Sequence, residues 1–204
     1  MRASFLVVAA TLVALAVSLL GVKERAGAQA ESQDPRFAQS NELVRPEGYR
    51  EWIYLSSGLG MSYSEGSQSG EPQFTNVFVR PEAYRQFMHS GTWPDRTLFV
   101  LEERDSSTQG SINHGGHFQT KLTGLVAEVK DESRFPEKWA FFAFLDTQGK
   151  LKDTAQALPR SACWTCHHDH GAVDNTFVQF YPTLKEVAQR KGTFREDIAK
   201  REAR

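Results

Sequence analysis

Both cysteines of the chain fall within Cys163-Trp164-Thr165-Cys166-His167, a C-x-x-C pair followed at once by histidine. That spacing is the attachment pattern of haem c. Two thiols three positions apart can each form a thioether to one vinyl group of a single porphyrin, and the next residue, His167, is then held under the iron as its proximal ligand. One covalent haem c is therefore expected, with Cys163, Cys166 and His167 as its binding residues and His167 as the metal ligand. Three other chemistries use the same residues. A thioredoxin-like redox pair expects an early βαβ context and leaves the adjoining histidine unexplained. Structural zinc takes four protein ligands, which His167, His168 and His170 could complete beside the sulfurs in a crowded arrangement. A disulfide across so short a loop removes little chain entropy.

With a histidine on one side of a haem iron, the other side decides what the protein does. A second side chain there makes an electron carrier, and an open position binds a ligand. The candidates to fill it are Met61, Met88, His89, His114, His117, His168 and His170. Met88 falls on the apolar face of a short helix, His114 sits in a polar loop, and His168 and His170 follow the proximal ligand too closely to reach the opposite side. Met61 and His117 stay in play. Turnover would need a proton acceptor near the iron. Glu102, Glu103 and Arg104, which end a strand, could serve, although a solvated strand end is the plainer reading. No Ser-His-Asp arrangement, phosphate loop or metalloprotease motif occurs, so the chemistry is the haem's.

The elements that must position this site follow a leader. Residues 1–30 carry Arg2, an apolar run from Phe5 to Val22, and Ala28-Gln29-Ala30. This reads as a secretory signal cut after Ala30. An uncleaved anchor is the alternative, since the apolar run approaches a spanning length; the well-formed cleavage site and the polar residues beyond it favour removal. Export suits covalent haem attachment, and a bacterial periplasm is the expected compartment. What is left is one domain's worth of chain. Its mild excess of acidic over basic residues argues against a nucleic-acid partner.

Residues 31–48 read as an extended lead-in. Strands are expected over Trp52–Ser57, Phe74–Val79, Thr97–Glu103, His117–Lys130 and Trp139–Leu145, and a short helix with Pro81 in its first turn over 80–88. In the strand His117–Lys130 the apolar parity shifts from Phe118 and Leu122 to Leu125, Ala127 and Val129, which predicts a bulge near Gly124. Asp174 or Asn175 could cap a helical turn beyond the pentad. Residues 185–204 read as a charged helix whose Phe194 and Ile198 lean inward. Hairpin-length links between strands imply an antiparallel sheet, so the fold class is α+β, with short helices packed around the haem.

The blocks Gly110-Ser111-Ile112-Asn113, Gly116-His117-Phe118-Gln119, Phe135-Pro136, Trp139-Ala140-Phe141-Phe142, Cys163 to His167 and His170 to Leu184 resemble the family of cytochrome P-460 and the cytochromes c′-beta. The resemblance covers about residues 49–184. It implies a sheet-rich haem domain, usually a homodimer, with one covalent haem. Some members oxidise hydroxylamine or nitric oxide with a haem that a lysine also cross-links, while the c′-beta group binds small gases at an ordinary haem c. The leading expectation is an exported mono-haem cytochrome that binds small nitrogen or oxygen ligands at an open iron position, over an apolar pocket lined by residues such as Phe74, Phe78 or Phe99. The alternatives are an oxidoreductase acting on hydroxylamine, nitric oxide or peroxide, and a six-coordinate electron carrier with a redox partner protein.

Between Lys23 and Lys121 the chain has no lysine. Lys121 shares strand parity with His117 and Gln119, a polar, outward set, so an ordinary haem c without the cross-link is expected. Denatured protein should keep its haem through a gel, Cys163→Ala with Cys166→Ala should lose it, and a peptide map should find no lysine peptide on the porphyrin. A haem-free wild-type chain that contains zinc would refute the assignment.

Overall fold

Alternating and β-branched runs form an antiparallel sheet in a computed structural model of the chain, described for residues 34–38, 41–62 and 70–203. The leader lies outside the described residues. Strand β1 (Leu43–Val44) is followed by β2 (Ile53–Leu59) and β3 (Phe74–Val79), then helix α1 (Pro81–Ser90). Next come β4 (Leu98–Ser107), β5 (Phe118–Lys130), β6 (Trp139–Ala143) and β7 (Thr154–Ala155). The helices α2 (Trp164–His170), α3 (Pro182–Lys191) and α4 (Glu196–Glu202) complete the chain. The main sheet has the order β2-β3-β4-β5-β6, every pair antiparallel, and β1 pairs with β7 in a second, two-stranded sheet. The class is α+β.

Strand pleating sends successive side chains to opposite faces, and the register assigns them. Phe78, Val100, Ala127 and Phe142 stand side by side across β3 to β6. They build a core with Leu43, Tyr49 and Ala155, closed over by the β1–β7 pair. The described part of the lead-in is docked through β1, where Leu43 is fully buried. On the other face Val79, Phe99 and Trp139 pack against Phe87 of α1, Leu184 and Val187 of α3 and Ile198 of α4. This second face carries the pentad.

The expected bulge is present. Glu103 pairs with Gly124 and Arg104 with Leu122, so Thr123 is an extra residue on β5 and parity reverses there. The charged C-terminal stretch differs from expectation, being two helices and not one. Gly192 ends α3 in the left-handed conformation, with φ 71°, where glycine carries no steric penalty. Asp174 and Asn175 cap no helix. Both have positive φ, and they form the reversal between Val173 and Thr176. Among the described residues no helix is long and apolar enough to cross a membrane.

Glu102, expected at a solvated strand end, is buried on the face away from the pentad. Tyr49 Oη donates to it at 2.7 Å, Arg50 lies 3.1 Å away, and Arg104 donates through Nε. Burial would raise its pKa, but hydrogen bonds from Arg104 and Tyr49 and the charges of both arginines outweigh that and hold it below the ordinary carboxylate range. Tyr49 is pushed up to about 12, first by burial and then by Glu102. The lowered Glu102 contributes stability that is present above its unfolded pKa, about 4.3, and lost as pH falls through the folded value. The raised Tyr49 contributes stability present below about 10 and lost as pH rises through about 12. Urea unfolding against pH should therefore show an acid limb that Glu102→Gln flattens and an alkaline limb that Tyr49→Phe flattens.

Candidate functional site

Cys163, Cys166 and His167 are separated by three and four positions, which puts them on one face of a helix. Cys163 caps α2 and the other two lie within it. Both thiols are free. Helix α2 stops at Gly171, whose N–H donates to the His167 carbonyl at 2.8 Å. A Cβ at Gly171 would stand 2.5 Å from that carbonyl oxygen and 2.8 Å from Asn175. Only glycine lets the helix end and the following turn approach so closely.

That turn is fastened to the sheet. Lys130, buried on β5, donates to Asp174 Oδ2 at 2.6 Å and to the Trp93 carbonyl at 2.8 Å. Trp139 Nε1 donates to Asp174 Oδ1 at 3.3 Å, and Trp93 Nε1 to Thr176 Oγ1 at 2.8 Å. The reversal so held presents the Asn175 carbonyl to His167, whose Nδ1 lies 2.9 Å from it. A carbonyl can only accept, so the Nδ1 position carries the hydrogen and Nε2 is the nitrogen left to bind a metal. The ring is packed between Phe141 and Phe177, with centroids 4.5 and 4.3 Å away.

Charge around the ring is negative. Glu128 Oε1 lies 3.4 Å from Nδ1. Burial opposes a positive imidazole, but the Glu128 carboxylate and the Asn175 carbonyl outweigh it and hold the His167 pKa above its ordinary value. The same field favours a metal cation at Nε2. Cys163 is pushed up, first by burial and then by the charges of Glu128, Cys166 and Glu103. A redox-active C-x-x-C needs the opposite shift. Nor is a zinc set assembled. His168 stacks on Trp164 and pairs with Asp169, His170 lies beside Arg201, and among the described residues no group of three or more His, Cys, Asp or Glu could hold a metal ion.

Cys163 and His167 open onto a cavity of about 440 Å³ between α2, the segment through Phe177, Phe180 and Tyr181, and the sheet face of Val77, Leu101 and Val126. Its remaining wall is largely polar, with Ser56 of β2, Gln73, Thr75 of β3 and Glu103 of β4. Glu103 fits because β5 has Gly124 opposite it; a Cβ there would stand 2.0 Å from Glu103 Oε2.

Of the residues singled out for the iron's second side, Met61 lines the cavity with its sulfur over Gly58. His117 does not line it and pairs with Glu71 at 3.3 Å. The phenylalanines expected there lie elsewhere. Phe74 and Phe78 have the parity of the opposite face, where Phe78 meets Tyr49, and Phe99 is enclosed by Trp93 and Trp139. Lys121 is exposed, and none of the described lining residues is a lysine. Sequence reasoning missed Glu128, the Asn175 carbonyl and the Lys130–Asp174 clasp. A single charge inside the apolar run Leu125–Val129 was the available signal for Glu128.

The profile of the Cytochrome P460 family matches residues 46–178, which takes in the main sheet, the pentad and the turn that holds His167. No curated protein matches the chain. Because Lys130 anchors that turn, Lys130→Met should leave the half-buried Asp174 without its cation. Urea denaturation should then show a loss of roughly 1–3 kcal/mol. A loss within error of zero would mean that the clasp does not hold the turn.

Proposed function

The chain belongs to the Cytochrome P460 family, haem-binding cytochromes, and from that premise we propose that it is an exported c-type cytochrome that binds a small nitrogen or oxygen ligand. It carries one haem, bonded through Cys163 and Cys166 and ligated by His167. The observation that supports this most is the state of His167. Its Nδ1–H is committed to the Asn175 carbonyl, which leaves Nε2 for a metal, and His167 shares with Cys163 the edge of a cavity of about 440 Å³, within the size range of cofactor pockets. When bound, the haem supplies an iron that exchanges electrons or takes up a small ligand. The residues of the chain do the rest. Phe141 and Phe177 fix the plane of the imidazole, Val77, Leu101 and Val126 exclude water, and the absence of lysine from the described wall fits a haem without a further cross-link.

Glu103 favours a second reading, an oxidoreductase acting on hydroxylamine, nitric oxide or peroxide. Its register partner Gly124 is four residues along β5 from Glu128, a distance of roughly 13 Å along the strand. It therefore faces the cavity well away from His167, where a carboxylate can take a proton from a bound ligand.

Absorption spectra of protein produced with c-type maturation, recorded oxidised, reduced, and reduced with carbon monoxide or nitric oxide, separate these outcomes. Ligand-binding function predicts a reduced spectrum that both gases change, and little turnover. Turnover of hydroxylamine that falls about 10²-fold or more in Glu103→Gln would establish the oxidoreductase. A six-coordinate reduced spectrum indifferent to carbon monoxide, made responsive by Met61→Ala, would make the protein an electron carrier.

A further inference from the structure

Glu128 is an anomaly among its neighbours. Its cross-strand partners are Phe99 on β4 and Phe141 on β6, neither of which can hydrogen-bond it. Its side chain is 12% exposed, and its Oε1 is buried with no hydrogen-bond partner among the described residues. A buried carboxylate oxygen left unmatched is destabilising, and an apolar side chain would suit this site on packing grounds. His167 Nδ1 lies 3.4 Å from that oxygen. That nitrogen already donates to the Asn175 carbonyl at 2.9 Å.

We propose that Glu128 is a positioning residue for the iron ligand: its carboxyl oxygen is a second acceptor for the His167 Nδ1–H and makes the imidazole a stronger electron donor at Nε2. The inference rests on His167 ligating a haem iron. Metal-bound histidines characteristically donate their other N–H to a carboxylate or a carbonyl, which fixes the ring and raises its basicity. Here both kinds of acceptor converge on one nitrogen. Asn175 supplies a neutral dipole, set by the backbone. Glu128 adds a side chain that can carry charge, on the side of the ring away from Nε2. A stronger donor favours the oxidised over the reduced metal, so Glu128 lowers the reduction potential and stiffens the bond between histidine and iron.

The test compares haem-loaded wild type with Glu128→Gln, which keeps an acceptor oxygen and the shape, and Glu128→Leu, which keeps neither acceptor nor charge. Spectroelectrochemical potentials should rise from wild type through Glu128→Gln to Glu128→Leu. For the leucine variant the oxidised-to-reduced ratio at a fixed potential should fall about tenfold, equivalent to about 59 mV for one electron. The iron–histidine stretch in resonance Raman spectra should fall in the same order. Equal potentials and equal stretches in three folded, haem-loaded proteins would overturn the inference while leaving the functional reading intact. A wild-type protein that carries no haem would overturn both, before any variant is compared.

Discussion

The hydrogen bond from His167 Nδ1 to the Asn175 carbonyl, 2.9 Å long, is the constraint on which the rest of the site depends. A histidine on a short helix has free rotation about its side-chain bonds, and a ring that turns presents either nitrogen to the cavity. Holding one nitrogen with a carbonyl leaves the other as the one able to bind a metal. The carbonyl is useful only if it does not move, and its position comes from a chain of contacts that reaches back to the sheet. Asn175 is in a reversal with positive φ, the reversal is clasped by Lys130 through Asp174, and Lys130 ends the long strand β5. Gly171 permits the close approach between helix and turn that the bond requires. The strand, turn and helix thus form one rigid support for a single ring nitrogen.

The sheet separates two tasks. One face is an apolar core closed by the β1–β7 pair, with the charged group of Tyr49, Glu102 and Arg104 at its margin. The other combines core packing near α1 and α3 with an open cavity beside α2. Adjacent residues of β4 show how sharply pleating divides them. Glu102 is satisfied by hydrogen bonds on the first face, whereas Glu103 faces the cavity over the space left by Gly124. The bulge beside that pair bends β5 without disturbing the register of Val126 to Lys130 with β6.

The pentad stood out in the sequence because the attachment pattern expected for haem c is contiguous. Strand positions were legible because half-buried strands alternate, and the bulge at Gly124 because a change of parity has no other simple cause. The face taken by each strand was not. Phe74 and Phe78 alternate as well for one side as for the other, and both sides of this sheet are apolar, so only the elements that cover each side assign them. The C-terminal charge pattern hid the break at Gly192, since a solvated helix and two short ones have similar composition. Within the site, the decisive partner of His167 is a backbone carbonyl, which carries no side-chain signature. Its support comes from Lys130 and Asp174, 44 positions apart, whose pairing is set by the tertiary fold alone.

The central claim is that the cavity beside α2 holds one haem through Cys163, Cys166 and His167. The pyridine haemochrome spectrum of the purified, matured protein, read together with its iron content per chain, tests this most directly. Pyridine displaces the protein's axial ligands, so the reduced band position reports only the porphyrin's side groups. The account predicts the band of a haem with both vinyl groups saturated by thioethers, at one iron per chain. A band characteristic of intact vinyl groups, or an iron content near zero, would contradict it.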